Sequence, residues 1–200
     1  MFRPVLLAIF CHLFALAQPD SSYIIKVHFL YGSKPNKGTK GTEMKYFGGK
    51  HGGHVSIEVD SVDVGFVPSG GVHIFSQKNN KKAAFADSRT RGLPVYPKGN
   101  KTAVFYIPLN RSQYERINAI HRSYLDTTPY DYAFLGMRCA SATYDILAQL
   151  DLVNRYSRSK TSRKIFYPKI LRKKLFVLAK KKGWEVVRQE GRPTRKWEKD

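Results

Sequence analysis

Residues 140–150 read Ala-Ser-Ala-Thr-Tyr-Asp-Ile-Leu-Ala-Gln-Leu, with small or apolar side chains nearly all the way round a helical wheel. Such a helix cannot rest on a surface with one stripe against a core; it has to be covered on several sides. The chain must therefore build layers around it. With 200 residues, 42% of them hydrophobic and 13% aromatic, it is long and apolar enough for one domain to do so. That composition excludes a wholly disordered polycation despite a net charge of +20. Two cysteines exclude both a disulfide-stapled small fold and a four-cysteine zinc site.

The covering layers are legible as strands. Residues 23–31 are β-branched and aromatic, and residues 54–59 alternate with period two. Residues 62–67 and 72–75, separated by Pro68-Ser69-Gly70-Gly71, continue the series as an antiparallel meander. Residues 32–53 form a long Gly- and Lys-rich loop, and residues 77–100 are polar and poorly patterned. A further strand is expected at 101–109. Asn110, with Gln113 three residues on, is a capping box for a helix bearing Tyr114, Ile117, Ile120, His121 and Tyr124 on one face, stopped by Pro129. Residues 151–164 read as a basic linker. Pro168 then opens a helix with Leu171, Leu175, Leu178 and Ala179 as its stripe, Gly183 ends it, and residues 184–188 form a last strand. The expected class is α+β, an antiparallel sheet packed with a few helices, one of them buried.

The beginning of the chain reads differently. Met1-Phe2-Arg3 is positive, residues 4–16 are apolar, and Ala15-Leu16-Ala17 has the small-x-small pattern of a cleavage site. This predicts a signal peptide over 1–17, the apolar run being shorter than the about 20 residues of a membrane span. An uncleaved anchor is the alternative. The expected layout is a leader over 1–17, one α+β domain over 18–190 with a basic helix and strand at its end, and a basic tail over 191–200.

Cleavage would remove Cys11 and leave Cys139 alone. A lone cysteine in an exported protein reads either as a small buried hydrophobe or as a reactive thiol. Cys139 falls where the buried helix begins, so free backbone N–H groups and the positive end of the helix dipole favour thiolate there, and Arg138 adds to both. The same N–H groups can donate to an oxyanion. A thiol nucleophile needs a base. His28 and His121 have ordinary packing explanations within a strand and a helix. His54 opens a strand directly after Gly52-Gly53, where glycine permits close approach. A metal site built from His51, His54 and His73 lacks a carboxylate or thiolate at familiar spacing, and none is expected.

In this order, Gly53-His54-Val55-Ser56-Ile57-Glu58-Val59, then a hairpin, then Arg138-Cys139-Ala140-Ser141 opening a helix, the chain resembles the circularly permuted papain-like superfamily. That group contains relatives of NlpC-type cell-wall peptidases, YiiX-type hydrolases and lecithin:retinol acyltransferases. The likeness spans residues 50–150. It implies a papain-like (NlpC-like) arrangement with Cys139 as nucleophile and His54 as general base. The third polar residue of such proteins falls here on Phe66. His73 and Ser69 are the nearest substitutes, and His73 is preferred because an imidazole can orient its partner. Arg138, Gly53, Ser69 and Tyr132 complete the expected oxyanion site and pocket.

Residues 155–200 carry 17 Lys+Arg against 4 Asp+Glu, a field that attracts polyanions. Behind a leader the anions at hand are those of the envelope, and no nucleic-acid motif accompanies the charge. The resulting expectation is an exported thiol hydrolase, periplasmic, envelope-bound or secreted, monomeric and without cofactor. It would cleave an amide in a peptidoglycan stem peptide or an ester in an acyl lipid, docked on an anionic surface. The alternatives are a lipid acyltransferase, a non-catalytic envelope-binding protein of the same fold, and an exported nucleic-acid binder.

Overall fold

The structure, a computed structural model, describes residues 23–32, 53–87, 99–195 and 198. The leader, the loop read at 32–53 and His51 lie mostly or wholly outside them. Six strands form one antiparallel sheet: β1 (Tyr23–Leu30), β2 (His54–Val59), β3 (Val62–Pro68), β4 (Ala83–Asp87), β5 (Thr102–Leu109) and β6 (Glu185–Gln189), in the order β4-β3-β2-β1-β5-β6. Among the described residues four helices accompany it, α1 (Arg111–Asp126), α2 (Cys139–Gln149), α3 (Arg158–Lys164) and α4 (Pro168–Lys182). The α+β class read from the sequence is the class observed.

Period-two alternation sorts the sheet into two faces. Ile25, Val27 and Phe29 of β1 join Val55, Ile57, Val64, Phe66, Phe105 and Ile107 in the core. Between them point Lys26, His28 and Glu58. Lys26 pairs with Glu58 across the β1–β2 ladder, and Glu58 accepts from Lys26 Nζ while holding His28 Nε2, each at 2.7 Å. His28 thus has its partner within the sheet.

The helix signals are met as chemistry. The Asn110 side chain accepts from Gln113 N–H at 2.8 Å and Gln113 Oε1 accepts from Asn110 N–H at 3.0 Å, closing the box that starts α1. Pro168 lies in the first turn of α4 and Gly183, in the left-handed region, ends it. Helix α2 is buried along almost its whole length, from Cys139 to Ala148, and packs on β2 and β3 as well as on α3 and α4.

Three expectations are corrected. Residues 72–75 are no strand of the meander: only His73 forms a bridge, and to Ala133 rather than to the sheet. The place beside β3 is taken by β4, within the segment read as unpatterned, where Phe66 faces Phe85 with ring centroids 4.9 Å apart. The basic linker contains α3, capped by the Ser157 hydroxyl accepting from Lys160 N–H. Beyond β6 the described residues bond back to the rest of the domain. Arg192 N–H donates to Gly99 O at 2.7 Å and Arg195 N–H to Gly32 O at 2.9 Å. Glu198 forms a fully buried ion pair with Arg172 at 3.1 Å, whose guanidinium lies 3.5 Å from the Tyr31 ring centroid.

Candidate active site

The first residue of β2 meets the first residue of α2. Leu30 of β1 stands opposite His54 in the ladder, which fixes the strand end. Gly53 makes the turn into it at φ +78°, and a Cβ there would lie 1.9 Å from Leu30 O; only glycine fits that approach. From β2 the imidazole of His54 hydrogen-bonds the Cys139 thiol. Two residues 85 positions apart in sequence, singled out separately as base and nucleophile, are therefore in contact.

Gly65, on β3, makes room for that contact. A Cβ built on it would stand 2.7 Å from His54 Nε2, so any side chain at 65 would displace the ring. Sequence reading missed Gly65, although glycine inside a strand is itself a mark of close approach. Asp63, two residues earlier on the same strand, acts on His54 through its charge.

Burial pushes the Cys139 thiol up. The hydrogen bond and charge of His54, then the charge of Arg138 and a hydrogen bond from Tyr132, outweigh burial and hold the thiol below its ordinary value. Burial presses His54 down, and its bond to Cys139, the thiolate charge and Asp63 raise it above the ordinary imidazole value. The opposite shifts bring the two groups toward each other in proton affinity, as proton transfer between them needs. Cys139 is 5% exposed, so the thiol is almost closed off from water.

Arg138, the residue before the helix, is buried. Its guanidinium lies 3.2 Å from the Phe166 ring centroid, with Phe134 and Tyr167 at 5.7 and 5.2 Å, and it donates to Phe166 O. Its backbone N–H donates to the Ser141 hydroxyl at 2.7 Å. Planar stacking keeps the charge beside the sulfur. The Tyr132 hydroxyl lies close enough to Cys139 for each to act on the other, and burial first, then the charge of Cys139, keeps it protonated well above its ordinary range.

His73 and Ser69 have partners of their own. His73 Nδ1 bonds Asp131 Oδ2 at 2.7 Å, so its imidazole is joined to Asp131, while the groups acting on His54 are Cys139 and Asp63. Ser69 is exposed just beyond β3, and its N–H donates to Lys82 O at 3.1 Å. Phe66, where the resemblance places a polar residue, stacks on Tyr132 with centroids 5.2 Å apart and meets Tyr130 edge-on. It supports Tyr132 from the core. Among the described residues no group of three His, Cys, Asp or Glu is placed to hold a metal. A cleft of about 740 Å³ lies at the other end of α2, lined by Tyr144, Arg155, Lys173, Lys174 and Lys182 among others, away from the thiol.

No family model, no curated protein and no solved structure matches the chain. Among the described residues no helix is long and apolar enough to cross a membrane.

Proposed function

We propose that the protein is an exported thiol hydrolase of the cell envelope, with a permuted papain-like arrangement. The observation that carries this reading is the hydrogen bond between His54 and Cys139, with thiol and imidazole shifted in opposite directions. The Cys139 thiolate attacks a carbonyl carbon. A C–S bond forms, and the oxygen takes up charge beside the Cys139 N–H and the Tyr132 hydroxyl. The imidazolium of His54 passes its proton to the leaving nitrogen or oxygen, and the C–N or C–O bond breaks. Water then attacks the thioester, His54 takes its proton, and the acid departs as the C–S bond breaks. Asp63 supports the imidazolium by its charge, a part the sequence assigned to His73.

Peptidoglycan stem peptides are the first substrate class, by analogy with the proteins the chain resembles, and acyl-lipid esters the second. Iodoacetamide tests the site. Alkylation of Cys139 in the folded protein should follow a titration below the ordinary thiol value of about 8.5, and His54→Ala should raise it. A thiol that stays unreactive would favour a binding protein. Firm DNA retention with a steep salt dependence, and no reactivity, would favour a nucleic-acid binder.

A further inference from the structure

Five large apolar side chains stand in water on two neighbouring segments. Val72, Ile74 and Phe75 are 50%, 64% and 67% exposed, and Phe134 and Leu135 are 40% and 55% exposed. The segments are bonded together: Phe134 N–H donates to His73 O at 2.7 Å and Leu135 N–H to Ile74 O at 2.8 Å. Behind them the fully buried side chain of Asp131 takes Gln77 N–H at 2.9 Å, Lys82 N–H at 2.8 Å and His73 Nδ1 at 2.7 Å. Gly136 sits so close to Ser76 that a Cβ would come within 2.2 Å of its hydroxyl. A buried, fully engaged carboxylate therefore holds an apolar ledge outward. Ledges of this kind mark interaction surfaces.

The exposed charge within these two segments has one sign. From Ser69 to Lys82 the chain has Lys78, Lys81 and Lys82 and no carboxylate, and from Thr127 to Arg138 the only acid is Asp131. We propose that this ledge is a docking surface for an anionic phospholipid bilayer. Its side chains enter the acyl layer and the lysines meet headgroup phosphates. Apolar insertion joined to a basic rim is the two-signal combination that gives stable membrane attachment. Five partly exposed side chains fall short of the about 800 Å² per partner of a standard protein interface, which argues against a protein as occupant. The surface does not depend on the chemistry of Cys139, although the ledge leads by chain directly into it.

The test uses the full chain and vesicles of phosphatidylglycerol mixed with acyl-brominated phosphatidylcholine. Phe75→Trp places a reporter on the ledge and Val187→Trp, also exposed, one on the far edge strand. Bromolipid should quench the added emission of the first severalfold and leave the second unchanged. Quenching should be lost with uncharged vesicles. Ile74→Ser with Leu135→Ser should weaken vesicle partition by about tenfold or more, and Cys139→Ser should leave it unaltered, separating this surface from the thiol. Equal quenching at both positions, no quenching, unaltered partition of the double variant, or self-association through the ledge in place of vesicle binding would overturn the proposal.

Discussion

His121 and His54 are both held largely out of water, and burial presses both toward the neutral ring. They shift in opposite directions. His121, on the buried face of α1, is pushed down to about 4 by burial, and its Nε2 finds no hydrogen-bond partner among the described residues. His54, at the start of β2, is raised, because Cys139 and Asp63 face it. The contrast teaches that burial supplies the leverage while the partner sets the sign. One ring is an inert part of the core; the other is drawn toward the charged form by the thiol and carboxylate that face it.

Substitutions test how far that contrast reaches. The largest effect belongs to His54→Ala, which should cut turnover and neutral-pH alkylation of Cys139 by about 10³-fold; an unchanged alkylation rate would break the comparison at its active half. His121→Leu tests the inert half. The imidazole is neutral when folded, so protonation favours the unfolded chain. The native protein should keep its full stability above pH about 6.5 and lose about 3 kcal/mol relative to the variant as pH falls toward 4. Parallel denaturant midpoints for both proteins across that range would contradict it.

Gly65→Ala sharpens the account by moving one ring. A Cβ at 2.7 Å from His54 Nε2 should loosen the pair, raise the thiol titration and slow alkylation by about tenfold, with the thermal midpoint nearly unchanged. Arg138→Met keeps the stacked volume and removes the charge. Because that charge ranks behind His54 in holding the thiol down, alkylation should slow only by about threefold, and a loss as large as that of His54→Ala would reverse the ranking.

What was legible in the sequence follows from locality. The box at Asn110 and Gln113, the alternation of β2 and the all-round apolarity of α2 are written within a few residues each, and so are the two halves of the site. What escaped depends on distant partners. Strand β4 is Ala-Ala-Phe-Ala-Asp, weak by propensity, and becomes a strand by pairing with β3. Residues 72–75 have strand-like side chains, yet their hydrogen bonds run to residues 132–135, and Asp131 decides that from across the chain. Only Thr161 of α3 is buried, so that helix has no apolar stripe to read. Gly65 and Asp63 owe their importance to where the ring of His54 lies, which no local pattern states.

The most direct test of the coupling between thiol and imidazole is a pH titration of thiolate ultraviolet absorbance, taken as the difference between the native protein and Cys139→Ser, with and without His54→Ala. The account requires Cys139 to ionise below the ordinary thiol range in the native protein and to move upward when the imidazole is removed. Ionisation at or above that range, indifferent to His54, would contradict it.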